Sequence, residues 1–145
     1  MQFHIYCNEK NIDNNHSLAT DEYIKRLTSY CIVNLHIGNR LMLQRDVIKK
    51  GHLLIIVKTM PSDFSSVELS KYIETIQLNG TSTVHIFIGF SEEEIYTGIS
   101  ESLSDITIHR LSISPFSIEN QTSLIILLEQ LYRGYTIIHG KTYHK

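Results

Sequence analysis

Apolar positions recur along this chain in two rhythms, one of strands and one of helices. Residues 3–7 and 32–37 read as strands. The stretch between them closes on Tyr23, Ile24, Leu27 and Tyr30, the i, i+1, i+4, i+7 stripe of an amphipathic helix. Residues 53–57, Leu-Leu-Ile-Ile-Val, and 84–88, Val-His-Ile-Phe-Ile, are nearly continuous apolar runs, as expected of parallel strands covered on both faces. Between them Ser65-Ser-Val-Glu68 has the form of a capping box and Asn79-Gly80 a stop, which predicts a helix over about 66–79. Ser91-Glu-Glu-Glu94 repeats the device after Gly89, setting three carboxylates at the positive end of the next helix, where dipole compensation accounts for them. Residues 106–114 return to β character and stop at Pro115. Leu124, Leu127, Leu128, Leu131 and Tyr135 then line one face of a final helix that ends before Gly140. Alternation of this kind, without linker, low-complexity tract or repeat, predicts one α/β domain over 1–145 with a mostly parallel sheet.

Composition narrows the class. At 145 residues, 42% hydrophobic and 19% charged, the chain is long enough for one core and unlike a disordered or fibrous sequence. No apolar run approaches the ~20 residues that cross a bilayer, so no membrane partner is expected. The N-terminus lacks the basic and apolar regions of a signal peptide, which sets the cytoplasm as the expected location. Cys7 and Cys31, with no partner spacing, read as free thiols. Thirteen basic against fifteen acidic residues remove any global attraction to nucleic acid. Only the tail over 133–145, with Arg133, His139, Lys141, His144 and Lys145 and no acid, forms a basic patch.

Candidate chemistry is sparse by motif. The eight histidines form no HxH, HxxxH or HxxE pair, so no metal site is expected, and His4 and His85 fall inside strands as core or edge residues. A GxGxxG, a Walker loop and a GxSxG are all missing, which leaves the ordinary dinucleotide, NTPase and hydrolase readings without their fingerprints. A ligand of such a fold sits beyond the carboxyl ends of the strands.

The C-terminal run from Glu129, Glu-Gln-Leu-Tyr-Arg-Gly-Tyr-Thr-Ile-Ile-His-Gly-Lys-Thr-Tyr-His-Lys, resembles the ending of the large-subunit ribosomal RNA methyltransferase H family, the SPOUT-class pseudouridine-N3 methyltransferases. Tyr23-Ile-Lys-Arg-Leu27 with Tyr30 is similar to that family's first helix, residues 84–89 to its strand before a glycine loop, and Leu111-Ser-Ile-Ser114 to its next strand. The resemblance implies a sheet with helices on both faces and a C-terminal trefoil knot, an exception to the rule that chains do not thread. It implies an S-adenosylmethionine-dependent RNA methyltransferase acting on N3 of a pseudouridine in large-subunit ribosomal RNA, working as a homodimer with ribosomal RNA or the ribosome as partner. The cofactor would touch Val57, Gly89 and the segment of Ile113, Ser114, Pro115, Phe116, Ser117 and Ile118. Tyr143 and His144 would lie where the base enters, with His144 as proton acceptor and Arg133 positioning a phosphate or the dimer partner.

The sequence departs from the family at several of these places. A Gly-Gly-x-x-Gly loop is replaced by Gly89-Phe-Ser-Glu-Glu93, a Pro-His by Glu119-Asn120, a helical arginine by Leu124, and the segment 44–51 is shorter than the family's. Side chains at Phe90 and Glu93 are expected to crowd the pocket and weaken cofactor binding. A second reading follows: a non-catalytic SPOUT-fold dimer serving as a binding or regulatory module with a degraded cofactor site.

Overall fold

The computed structural model describes residues 1–39, 47–61, 64–99 and 106–143. These form β1 (Gln2–Cys7), α1 (Asn14–Leu27), β2 (Ile32–Ile37), β3 (Leu53–Thr59), α2 (Ser66–Leu78), β4 (Thr83–Ile88), α3 (Glu92–Gly98), β5 (Ile108–Ser114) and α4 (Asn120–Ile138). The strands order as β2-β1-β4-β3-β5 and every pairing is parallel. The expected shortened segment after β2 falls partly on 44–46, outside the described residues.

Strand alternation divides the core in two. Phe3, Ile5 and Cys7 of β1, with Val84, Ile86 and Ile88 of β4, face a layer that includes Leu27, Leu69, Ile73 and the buried leucines of α4. Tyr6, Phe87, Leu54, Ile56 and Ile108 point the other way, where Ile48, Phe90 and Ile95 cover them. Among the described residues helices therefore lie on both faces, three against one. The sequence signals for α2 and α3 act as read: Ser65 with Glu68, and Ser91 with Glu94, complete reciprocal capping boxes. The three acids of α3 have separate duties. Glu94 closes the box, Glu92 pairs with Arg110 of β5 at 2.8 Å, and Glu93 stays exposed.

Two boundaries differ from expectation. Helix α1 ends at Leu27, and Tyr30 lies beyond it, stacked on Tyr135 and His139 at ring distances of 5.4 and 5.1 Å. Strand β5 begins at Ile108; Ile106 packs against the second core instead of pairing. Both cysteines are buried free thiols, and burial pushes Cys7 up to about 12 and Cys31 up to about 11.

Helix α4 runs between α1 and α2 and touches both. Leu124, Leu127, Leu128, Leu131 and Tyr135 are all buried within the chain. Gly134 permits the close approach to α2, since a Cβ there would stand 3.1 Å from Ile73 Cδ1. A helix that is apolar on more than one side is what a central position requires. The apolar surplus of this helix is thus used inside the chain.

Candidate cofactor site

The carboxyl ends of β3, β4 and β5 converge on a cavity of about 250 Å³. Each wall has a local cause. From β3 come Val57, Lys58 and Thr59. Between Lys58 and Thr59 the pairing slips, Lys58 opposing Ser112 and Thr59 opposing Ser114, so Ile113 is an extra residue that bends β5 at the cavity edge. Beyond the bulge the Ser114 hydroxyl donates to the Phe116 carbonyl at 2.8 Å and accepts from the Phe116 amide at 3.0 Å, folding the chain back over the opening. The third wall is Gly89, held at φ +78°, followed by the start of α4 with Asn120 and Ser123.

Of the residues named from the resemblance, Val57, Gly89, Ile113, Ser114, Ser117 and Ile118 line this cavity. Pro115 turns to a separate groove of about 410 Å³ beside β5, and Phe116 stands on the rim, 75% exposed. That groove is the larger space, but its walls are mainly apolar, and its Ser66 and Gln130 bond to each other at 2.6 Å. The smaller cavity has the chemistry: serine hydroxyls, a lysine, an asparagine amide and a helix start whose N-cap, Glu119, makes no side-chain cap bond. Lys58, Thr59, Asn120 and Ser123 are wall residues that the sequence reading did not assign to the cofactor. The signal for Asn120 was its place at the start of the last helix.

Phe90 borders this cavity, and it is 5% exposed and belongs to the core under the sheet with Tyr6, Ile56, Phe87 and Ile95. The space a Cβ would need at Gly89 is taken by Asn120, whose amide atoms lie 2.5–2.7 Å from that point.

The tail residues gather elsewhere. Arg133 donates from Nε and Nη2 to one Glu129 oxygen at 2.9 and 2.7 Å, and its guanidinium lies 5.5 Å from the Tyr143 ring. The Tyr143 hydroxyl is 3.4 Å from the same carboxylate oxygen and 3.5 Å from the Tyr23 hydroxyl. The Tyr23 contact, burial and Glu129 push Tyr143 up to about 12, so its phenol keeps its proton at neutral pH. His144 lies outside the described residues. Arg133 follows Asn120 by thirteen positions on α4. At 1.5 Å per residue, that places it about 20 Å along the helix from the cavity.

Among the described residues no three His, Cys, Asp or Glu side chains converge on a point that could hold a metal ion, and no helix is long and apolar enough to cross a membrane. Fold and cavity together define an α/β protein whose ligand sits beyond the carboxyl ends of a parallel sheet. The particular family is narrower. Residues 1–144 match the family described as predicted SPOUT methyltransferase. The chain is 33% identical over 144 residues to the ribosomal RNA large subunit methyltransferase H of Acetivibrio thermocellus, across 86% of this chain and 87% of that one. It is 31% identical over 146 residues to the protein of the same name from Clostridium botulinum strain Okra, with 88% and 89% covered, and 31% identical over 147 residues to that of Alkaliphilus oremlandii, again with 88% and 89% covered. This chain belongs to the SPOUT methyltransferase family.

Proposed function

We propose that the chain, as one domain, is an S-adenosylmethionine-dependent methyltransferase that modifies N3 of a pseudouridine in large-subunit ribosomal RNA. The observation that carries this reading is the near full-length match to relatives bearing that enzyme's name, together with a cavity at the strand ends that fits the cofactor's chemistry. When bound, the cofactor supplies a methyl group on a sulfonium, open to in-line displacement, so positioning provides most of the rate. The bulged β5 end, the Ser114 turn and Gly89 hold and orient it, their trefoil threading being part of the proposal.

The separation within one chain supports a homodimer. Arg133 stands about 20 Å along α4 from the cavity, with Tyr143 beside it, too far to serve it. A partner's tail reaching over that opening brings them to the base. In such a site Glu129 fixes Arg133, Arg133 and Tyr23 orient Tyr143, and the protonated Tyr143 phenol acts as a hydrogen-bond donor. His144 accepts the imino proton of N3, an imidazole being matched to neutral pH.

The test is transfer of tritiated methyl to ribosomes from a strain lacking the gene, with the full chain and one ending at residue 142 in parallel. The full chain should label the ribosomes and the shortened one should not, while both remain dimers by light scattering. Labelling by the shortened chain would show the tail to be a packing element. The alternative, a non-catalytic dimer with weakened cofactor binding, draws on the single glycine left in Gly89-Phe-Ser-Glu-Glu93 and on the exposed Glu93. It predicts no labelling by either chain.

A further inference from the structure

Two asparagines from distant parts of the chain meet at Gly89. Asn8, just past β1, donates its Nδ2 to the Gly89 carbonyl at 2.7 Å. Asn120, the first residue of α4, donates its Nδ2 to the Asn8 carbonyl at 2.9 Å. A backbone carbonyl can only accept, so both side-chain amides have a fixed sense, nitrogen toward the backbone and oxygen away from it. The three amide atoms of Asn120 lie 2.5–2.7 Å from where a Gly89 Cβ would be, so the amide faces the bare Cα of that glycine. The Cys7 thiol, one residue before Asn8, points at the Asn120 carbonyl at 3.8 Å and anchors the same junction.

This clasp leaves one group over. Asn120 is part of the cavity wall, and its Oδ1 accepts no hydrogen bond from any described residue. An acceptor so presented calls for a donor from the ligand. We infer that Asn120 is a cofactor-contacting residue whose Oδ1 accepts a hydrogen bond from an amine of S-adenosylmethionine, with Asn8 as the positioning residue that holds both Asn120 and the Gly89 turn. The inference rests on the cofactor assignment made under Proposed function. Two nitrogen donors of the cofactor meet this requirement, the adenine amine and the amino-acid ammonium; the ribose hydroxyls are the competing donors and would penalise every adenosine-like ligand alike. The clasp also supplies a physical substitute for the two missing loop glycines: the turn is fixed by the Asn8 amide on the Gly89 carbonyl and by the Asn120 amide packed on the Gly89 Cα, instead of by a run of residues without Cβ.

Calorimetry with three ligands tests it: S-adenosylhomocysteine, 5′-methylthioadenosine, which lacks the ammonium, and S-inosylhomocysteine, which lacks the adenine amine. Asn120→Ala should weaken S-adenosylhomocysteine about tenfold, the loss of one hydrogen bond. That penalty should vanish for one of the two truncated ligands, naming the donor. Asn8→Ala should weaken all three ligands equally and by less. Asn120→Asp keeps an acceptor but loses the Nδ2 bond to the Asn8 carbonyl, a loss common to all three ligands; beyond that common loss it should favour the ligands that carry the donor over the one that lacks it, which decides the matter if the alanine form does not fold. An equal penalty for all three ligands, no penalty with S-adenosylhomocysteine, or an aspartate form that treats the three ligands alike would overturn the inference while leaving the cofactor assignment standing. Parent protein that binds none of the three would remove the cofactor assignment and the inference together.

Discussion

The two faces of the sheet are built from one set of strands by opposite means. Against one face α1, α4 and α2 lie side by side, and the contact is almost wholly apolar. The other face carries α3 and a compact apolar patch over β3, β4 and β5, but toward β1 and β2 it presents rings. His4, His36, His85 and His52 come from four different segments and stack in a row, with ring centroids 4.9–5.4 Å apart. Tyr6 joins them, 3.2 Å from His85 Nδ1. Hydrogen bonds fix the protons in part of this row. The Lys49 amide donates to His52 Nδ1 at 3.3 Å, so that nitrogen is bare; His85 Nε2 then carries a proton and donates to it at 2.9 Å, and the Tyr6 hydroxyl donates to His85 Nδ1. One face is held by burial, which is indifferent to protons, and the other depends on imidazoles remaining neutral.

Cavity formation should cost most and should ignore pH. Leu128→Ala on the helical face removes a fully buried side chain and is expected to destabilise by about 2–5 kcal/mol, by the same amount at pH 7.5 and pH 5 in denaturant titrations. A strong pH dependence of that difference would break the contrast between the faces.

The histidine face should give the next largest effect. Burial, then the His4, His52 and His36 charges, hold His85 down at about 3; burial lowers His4, His36 and His52 as well, aided by His36 and His52 at His4 and by Lys49 at His52. Above pH 6.5 the folded and unfolded forms are both neutral at these positions and nothing is lost. As pH falls below 6.5 the unfolded chain takes up protons that the folded row refuses. Stability should therefore drop by up to ~1.4 kcal/mol per pH unit for His85, down toward pH 3, with smaller losses of the same sign from the other three. Unfolding measured between pH 7.5 and 5 checks the slope. His85→Leu should flatten it even if the baseline falls, and an unchanged slope would acquit the row.

Caps give the smallest and most symmetric comparison. Ser65→Ala and Ser91→Ala remove the same device from helices on opposite faces, and each should cost about 1 kcal/mol. A much larger loss at Ser91 would mean that α3 holds the turn after Gly89 as well as itself.

Sequence periodicity was sufficient wherever one element's own residues decide the outcome. Strands β1 to β5, both capping boxes and the end of α4 before Gly140 were legible because alternation, caps and glycine act within a few residues. What was hidden depends on partners far away in the chain. The apolar excess of α4 is taken up by α1 and α2, and nothing local says that a helix has neighbours on two sides. The burial of Phe90 beside Tyr6 and Ile95 is set by tertiary packing, which the loop's own residues do not reveal. The histidines at 4, 36, 52 and 85 have no motif spacing; only the strand order β2-β1-β4-β3 makes them neighbours. At the cavity, the family resemblance pointed to the wall segments, but the Asn8–Asn120 contact spans 112 positions and left no sequence signal.

That strand order also constrains how the chain can fold as it is made. Strand β1 lies between β2 and β4 and precedes both in the chain, and its register with β4 pairs Gln2 with Thr83. No hairpin joins any two neighbours in this sheet, so every pairing waits for a crossover, and such long-range closures are slow. At about 5–20 residues per second, β1 leaves the ribosome roughly 4–16 s before the strand that will cover its second edge. During that interval the β1 edge that β4 will cover stands open beside Phe3, Ile5 and Cys7, which makes residues 2–37 the segment with most need of a chaperone.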